Sequence, residues 1–374
     1  MLAEVPGQGG WAWVVLQYLL GLRQLGHEVY FVDALPDTRN DLSDTSFEAS
    51  SIANYFHQTL SEFGLQNASS LLATDIRKAV GLHYDELVQI ADKCDVLLNV
   101  SGRLRDVNLL DRIPLRVYLD LDPAFTQLWQ AAHGIDMHLA GHTHFVTVGL
   151  AIGHPVCEIP TCGVQWTTSH QPVVLSQWPR ASKILHGGLT TVANWRGYGS
   201  AEYRGEFYGQ KAHSLREFFE LPRHTTESFI LALAIHPDEV QDLRALRENG
   251  WQLLDPVDVV GTPAQYRRFV QGSKGEFGIA KSGYVKARCG WFSDRSICYL
   301  ASGRPVIAQD TGFSSFLPTG KGLLSFETMD DVLCAIEDLN ANYWAHAAAA
   351  RKIAEDHFDS QQVLTRMLHK IGAV

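Results

Sequence analysis

Cations and a predicted helix start in the C-terminal half of the sequence could bind a diphosphate. Arg196 follows a predicted strand and is flanked by glycines, and Lys211 begins the next predicted helix. A further helix is predicted to begin at Ser293 or Asp294, where free backbone N–H groups and the helix dipole attract anions, and Arg295 adds a fork of donors. Two cations near a glycine-rich turn would neutralise a leaving diphosphate. The alternative is a plainly capped helix among solvated surface charges.

Carboxylates and imidazoles in the N-terminal half could act on an acceptor hydroxyl. Asp120 and Asp122 end a predicted strand, and one of them could serve as a general base in an inverting transfer. The alternative is that they cap the next helix, because Pro123 suits a first helical position. His142 and His144 could line a cleft and position a hydroxyl, or they could be buried, hydrogen-bonded histidines without chemistry.

The same histidines raise the question of a metal site. Gly-His-Thr-His resembles the last metal motif of calcineurin-like phosphoesterases, but the companion Asp-x-His and Gly-Asn-His segments do not occur in the sequence. Cys157 and Cys162 lie near His154, but no second ligand pair follows at the spacing of a zinc finger. We therefore predict no bound metal.

Composition narrows the function classes. The chain has 374 residues and a formal net charge of −10, which argues against a dedicated nucleic-acid binder, so we expect no nucleic-acid partner. Six scattered cysteines indicate reduced thiols in a cytoplasmic protein. The apolar run from Trp11 to Leu22 is shorter than the roughly 20 residues of a membrane-spanning helix, so we expect no transmembrane segment.

Alternating patterns predict the elements that would position these residues. Helices are predicted at about 11–25, 52–63, 84–93, 239–248, 263–271, 294–301, 329–340, 344–355 and 361–371. Strands are predicted at 27–33, 95–100, 116–120, 189–193, 229–235, 251–254, 277–280 and 305–309. This alternation is typical of parallel sheets covered by helices on both faces, which bind ligands beyond the carboxyl ends of their strands. Residues 36–50 are polar and are predicted to form a loop.

The pattern predicts two domains of similar size. A segment without clear periodicity, 165–182, is the predicted link. We expect Rossmann-like doubly wound domains over 1–175 and 183–350 that face each other across a cleft, with a last helical segment, 356–374, returning to the first domain. Little sequence precedes the first helix, so we expect either that the usual first strand is very short or that the chain begins later than its relatives do.

Several segments resemble the GT-B glycosyltransferases, chiefly those of group 1. The match is most specific over 301–308, Ala-Ser-Gly-Arg-Pro-Val-Ile-Ala, and 320–326 and 350–358 are similar to the closing segments of that superfamily. The opening Gly9-Gly10 loop and helix resemble its N-terminal loop. The resemblance implies a metal-independent transferase that moves a sugar from a nucleotide-diphosphate donor to a small-molecule or glycan acceptor on the N-terminal domain, with no cofactor besides the donor.

The resemblance also assigns donor-binding residues. Besides the diphosphate-binding residues above, it favours Gly9, Gly10 and Glu276, which resembles the first acidic site of the family. His236 is a further candidate for donor binding, because it lies at the end of a predicted strand. The second acidic residue, which normally lies just before the Ala-x-Gly-x-Pro turn, is Cys298 here. The usual carboxylate contacts to the donor are therefore altered, as in an outlying branch.

Other functions remain open from the sequence. A binding protein that kept the GT-B shape and lost catalysis would explain Cys298, and a GT-B-shaped epimerase would act on the nucleotide sugar alone. A nicotinamide enzyme is a weaker alternative, because Asp33 lies where a ribose-binding carboxylate belongs but the glycine loop lacks the full spacing. The sugar, base, acceptor and oligomeric state are not predicted.

Overall fold

The computed structural model describes residues 2–35, 47–74 and 77–374. Its helices are α1 Gly9–Gln24, α2 Ser51–Ser61, α3 Tyr84–Ala91, α4 Val107–Leu110, α5 Phe125–Ala132, α6 Lys211–Arg216, α7 Val240–Glu248, α8 Pro256–Val260, α9 Pro263–Gly272, α10 Ser282–Ala287, α11 Asp294–Ala301, α12 Met329–Ala341, α13 Tyr343–Ile353 and α14 Ser360–Lys370. Most of the loop predicted over 36–50 lies outside the described residues.

The strands form two main parallel sheets and two smaller ones. They are β1 Phe31–Leu35, β2 Ser69–Ala73, β3 Lys78–Gly81, β4 Val96–Val100, β5 Leu115–Asp120, β6 His144–Thr147, β7 Trp166–Thr168, β8 His186–Asn194, β9 Ala201–Tyr203, β10 Glu206–Tyr208, β11 Phe229–Ala234, β12 Gln252–Leu254, β13 Ser273–Gly278, β14 Val306–Gln309 and β15 Leu323–Phe326.

The C-terminal sheet has six parallel strands in the order β12-β11-β8-β13-β14-β15. Chain order runs outward in both directions from the neighbouring pair β8 and β13, so the strand order reverses between them. In open parallel sheets, a ligand binds at this reversal, beyond the carboxyl ends of the strands. The loops after β8 and β13 are therefore the first place to look for a site.

The N-terminal half is built on two separate sheets. Strands β4, β5, β6 and β7 form a parallel sheet in that order, while β1 and β2 are parallel and β3 is antiparallel to β2. The segment predicted as a link, 165–182, thus contains the edge strand β7. The sequence did not predict this strand, because Trp-Thr-Thr shows no alternating pattern. Instead of a first strand, Ala3 donates its N–H to the buried Asp33 carboxylate at 2.8 Å. That bond gives Asp33 a structural partner within its own half.

The two halves meet closely along α1. Trp13 donates its indole N–H to Pro263 O at 2.9 Å, and Gly10 packs against the Tyr266 ring. A Cβ on Gly9 would lie 2.3 Å from Thr262 O, so the backbones of α1 and α9 approach as closely as glycine allows. Gly9 and Gly10, predicted to bind the donor, thus contact the other half of the protein directly.

This close approach gives a stability prediction. Gly9→Ala should lower the free energy of unfolding by about 1–3 kcal/mol, the usual cost of overpacking, because the added methyl meets backbone rather than a flexible side chain. Gly187→Ala is the matched control, since its Cβ would meet nothing within 4 Å. Urea unfolding of both variants checks the difference, and equal stability would contradict the close contact between the halves.

Two chain crossings connect the halves and lie side by side. Val173 donates its N–H to Phe358 O at 2.7 Å, and Ser360 donates to Val173 O at 2.9 Å. Beyond this crossing, α14 buries Leu364, Met367 and Leu368 in one cluster with residues of β5. The last helix therefore packs in the N-terminal half. The domain limits 1–175 and 183–350 themselves stay a prediction.

A histidine pair at this crossing should make stability depend on pH. Burial, with His357 and nearby cations adding to it, lowers the pKa of His170 to about 4. The folded protein then binds this proton less readily than the unfolded chain, so stability is complete above pH ~6.5 and falls towards pH ~4. His170→Asn should remove about 1 kcal/mol of the loss between pH 7 and pH 5, measured by urea unfolding. An identical pH dependence in the variant would contradict this assignment.

Candidate functional site

The loops beyond β8 and β13 bring two lysines together. Lys281 follows β13, and Lys211 opens α6 after the segment that follows β8. The backbone N–H of Ser282 donates to Gln210 O at 3.4 Å, and that of Gly283 donates to Gly209 O at 3.0 Å. Since each bond joins residues next to the lysines, both cations lie at the reversal of strand order.

Lys211 is half-buried and, within the described ranges, makes no hydrogen bond. Burial holds its pKa well below the ordinary value, and the neighbouring charges of Arg295 and Lys281 lower it further, against the opposing effect of Glu276. The positive charge of Lys211 is therefore not fully balanced by neighbouring negative groups. An anion bound here would balance it and favour the charged form of the lysine.

Arg295 and Glu276 form a buried ion pair below the lysines. Arg295 Nε donates to Glu276 Oε1, and its Nη1 donates to Val192 O at 3.0 Å. Glu276 is fully buried in β13, and its Oε2 has no hydrogen-bond partner in the described part of the chain. The structure therefore uses Glu276 to neutralise Arg295, whereas the sequence predicted a ligand-binding carboxylate.

The first turn of α11 lies at the contact between the halves. Ser293 is the N-cap residue and is buried, yet its side chain makes no capping bond. Asp294 and Cys298 are one helical turn apart and line a small cavity together with Gly10 and Gln17. Burial raises the pKa of Asp294. A thiol thus occupies the position where the resemblance led us to expect a second carboxylate, and Asp294 lies one turn before it on the same face.

Asp122 reaches this region from the N-terminal half. It follows β5, and its Oδ1 accepts hydrogen bonds from Tyr198, from Tyr284 at 2.7 Å and from Lys281 at 3.3 Å. Its Oδ2 accepts none from the described residues. Burial alone would raise the pKa of Asp122, but Lys281 and the two hydroxyls hold it below the ordinary value. The carboxylate is therefore ionised and fixed in orientation through one oxygen.

Asp120 fixes the backbone of the loop that carries Asp122. It is fully buried and accepts hydrogen bonds from Thr126 at 2.7 Å and from Gln127 and Thr147 at 2.8 Å. It also accepts the N–H of Asp122 at 3.1 Å. Burial raises the pKa of Asp120, although these donors oppose the shift. Asp120 is enclosed, so it orients the loop and has no access to a ligand.

The other predicted residues do not join this cluster. Arg196 follows β8, but its side chain is 45% exposed and pairs with Glu239. His236 follows β11, is 71% exposed and accepts the Asp238 N–H at 3.3 Å. Both follow the right strands, yet both side chains point to solvent.

The histidines of Gly-His-Thr-His lie elsewhere. His144 is the first residue of β6, so the motif lies where that strand begins, whereas Asp122 lies beyond the end of β5. His142 contacts Asn99 Nδ2 at 3.0 Å and Leu139 O at 3.2 Å, and burial lowers its pKa. His142 thus fits the predicted alternative of a hydrogen-bonded histidine in the fold.

Three residues of the cluster were not predicted from the sequence: Lys281, Tyr198 and Tyr284. Lys281 carried a usable signal, because it directly follows the strand predicted over 277–280. The tyrosines carried none, since their role depends on how the two halves meet.

The described residues meet the requirements neither of a clustered metal site nor of a membrane-spanning helix. No group of three or more His, Cys, Asp or Glu residues placed to hold a metal ion occurs within 2–35, 47–74 and 77–374. Over the same ranges, none of the helices combines the length and apolar character needed to cross a bilayer.

No protein-family model matches this chain, and no curated protein is similar to it in sequence. Solved structures do match over nearly the whole length. An alpha-glucosyltransferase in complex with UDP-glucose and DNA containing an abasic site has a TM-score of 0.62 at 14% identity, over 98% of this chain and 97% of that one. HepE from Anabaena in complex with UDP-glucose has a TM-score of 0.60 at 13% identity, over 99% and 97%.

A glycosyltransferase from Rickettsia africae is similar as well, with a TM-score of 0.56 at 11% identity over 97% of this chain and 94% of that one. The chain has the fold of these GT-B-like glycosyltransferases. The predicted α/β architecture with two Rossmann-like sheets is therefore confirmed. At these identities the likeness concerns the fold.

One prediction is wrong. The acidic composition led us to exclude a nucleic-acid partner, yet two of the matching structures are alpha-glucosyltransferase complexes with DNA. A net charge is an average over the whole surface and does not describe the charge of one face. Acidity therefore gives no ground for excluding nucleic acid from this fold.

Proposed function

We propose that the protein is a glycosyltransferase that takes a sugar from a nucleotide-diphosphate donor. The carrying observation is Lys211: a half-buried cation without a hydrogen bond among the described residues, at the reversal of strand order. Arg295 lies nearby, although Glu276 neutralises its charge, and the first turn of α11 adds backbone N–H groups. The shared fold supports the proposal, because solved structures of that fold hold UDP-glucose.

In this proposal the C-terminal half holds the diphosphate. The bond between the sugar's anomeric carbon and the diphosphate oxygen breaks, and a bond from an acceptor oxygen to that carbon forms. Lys211 stabilises the negative charge that develops on the leaving diphosphate. Asp122 presents its second oxygen from the N-terminal half and would take the acceptor's proton. The acceptor is unassigned.

Transfer from the donor would need neither a metal nor an additional cofactor, because the Lys211 ammonium would supply the positive charge that a metal otherwise provides. Unchanged turnover in excess EDTA is the expected result for metal independence.

We also propose a cytoplasmic location, since all six cysteines are free thiols.

A thermal-shift panel of UDP, GDP, dTDP and their sugars tests the proposal. A ligand at 100 times its Kd should stabilise the fold by about 2.7 kcal/mol, and release of the nucleoside diphosphate should then depend on an acceptor. Absence of any shift across the panel would overturn the proposal. Conversion of the sugar nucleotide without an acceptor would indicate an epimerase instead.

A second candidate is a binding protein without turnover. It is favoured by the loss of both family carboxylates, because Cys298 replaces one and Glu276 is paired with Arg295. Nucleotide binding with no sugar transfer or hydrolysis, across the same panel, would support this candidate over the transferase.

A further inference from the structure

We propose that Lys281 is a second phosphate-binding cation of this cleft, which pairs with Asp122 before the donor binds and exchanges this partner for the donor diphosphate. The inference rests on the proposed function and adds a specific exchange of partners to it. The exchange also frees Asp122 when the donor arrives, so donor binding precedes the action of Asp122 on an acceptor.

The backbone places Lys281 beside Lys211. The hydrogen bonds from Ser282 and Gly283 to the turn at 209–210 join the residues that adjoin the two lysines. Lys281 follows β13, and Lys211 opens α6 at the end of the segment that follows β8 and contains the β9–β10 hairpin. Because the two backbone segments are joined by these hydrogen bonds, a diphosphate that neutralises Lys211 comes within reach of Lys281 as well. Two ammonium groups this close repel each other, and a shared anion relieves the repulsion.

The Lys281 ammonium donates to the neutral Tyr198 hydroxyl, and its one charged partner among the described residues, Asp122, is more distant. The Lys281 side chain is only 18% exposed, and its ammonium lies 3.3 Å from Asp122 Oδ1, longer than the 2.7–2.9 Å of a strong charged hydrogen bond. Aromatic rings surround it, with the centroids of Phe125 and Tyr284 at 5.2 and 5.1 Å. A neutral phenol oxygen and one carboxylate oxygen, itself shared with two tyrosine hydroxyls, are weak competitors for this cation against a diphosphate.

Movement of Lys281 away from Asp122 would make this carboxylate a stronger base. Without the cation, the carboxylate loses the charge that most favours its ionised form, so its affinity for a proton increases. Tyr198 and Tyr284 would still hold its orientation. A proton acceptor would thus become stronger at the moment when the donor sugar is in position.

Two single variants and their combination test the exchange through UDP, GDP and dTDP affinity, measured by calorimetry. Lys281→Met should weaken binding of the preferred nucleotide about 10-fold. Asp122→Asn should strengthen it several-fold, because the competing carboxylate is gone. The double variant should bind like Lys281→Met alone, since Asp122 acts on this affinity only through Lys281.

Matched controls separate this effect from general disturbance. Lys286→Met changes the lysine of the neighbouring helix α10, which pairs with Glu206 at the surface, and Asp136→Asn changes an exposed aspartate. Both should bind the nucleotide like the wild type. If Lys281→Met does not fold, Lys281→Gln can still donate to Asp122 and should show the same 10-fold loss.

The failures are distinguishable. Wild-type protein that binds none of the three nucleotides overturns both the proposed function and this inference. Nucleotide binding that is unchanged in Lys281→Met, or weakened equally by Asp122→Asn, overturns the inference alone. The second result would show that the pair only holds the two halves together.

Discussion

Arg295→Met is expected to lower the free energy of unfolding by about 3–5 kcal/mol, the cost of removing one partner of a buried ion pair. The reason is Glu276, which has no exposed surface and whose Oε2 already lacks a hydrogen-bond partner among the described residues. Without the guanidinium, that carboxylate must either remain charged in a low-dielectric interior or take up a proton. Urea unfolding at neutral pH measures the loss.

Two further variants make this result specific. Arg244→Met removes an arginine that is 76% exposed and pairs with Glu248 on the surface, so it should change stability by less than about 0.5 kcal/mol. Arg295→Met combined with Glu276→Leu removes both charges and should recover much of the loss. A single variant as stable as the wild type would show that the pair is not buried as described.

Lys211→Met should weaken binding of the preferred nucleoside diphosphate by about 1.5–3 kcal/mol, the range for a hydrogen bond to a charged group. Turnover should fall at least as much, because charge on the leaving diphosphate increases in the transition state. Stability should not fall, since burial and neighbouring cations disfavour the charged lysine in the folded state. Calorimetry and thermal melting in parallel measure the two effects.

The opposite outcome is equally informative. Unchanged nucleotide affinity in a normally folded Lys211→Met would show that this lysine does not contact the ligand. The phosphate site would then rest on Arg295 and the first turn of α11. Lower stability without an effect on affinity would assign Lys211 to the fold.

The sequence predicted the sheet that carries the site because its strands are long apolar runs between turns. β8, β11 and β14 were all expected within a few residues of their observed limits. Strands β6 and β7, His144–Thr147 and Trp166–Thr168, were not predicted, because they are neither apolar runs nor regularly alternating. Their pairing depends on neighbouring strands distant in the sequence, so local residues do not determine it.

The sequence predicted where in the fold the site lies, but not which side chains point into it. The rule that ligands bind beyond strand ends selected Lys211 and Asp122, and the same rule would have selected Lys281. It also selected Arg196 and His236, whose side chains turn to solvent. Whether a loop side chain points into a cleft depends on backbone conformation and on the opposite half, and no spacing in the sequence reports either.

The return of α14 has a consequence for how the chain must fold during synthesis. Leu364 and Met367 complete a core whose other walls, including Val117 and Leu119, are made about 250 residues earlier. The N-terminal half is therefore synthesised first but completes its core last. Its apolar side chains remain exposed to solvent while the whole C-terminal sheet is translated. Contacts so distant in sequence slow folding and expose surface that aggregates, so we expect expression to depend on chaperones.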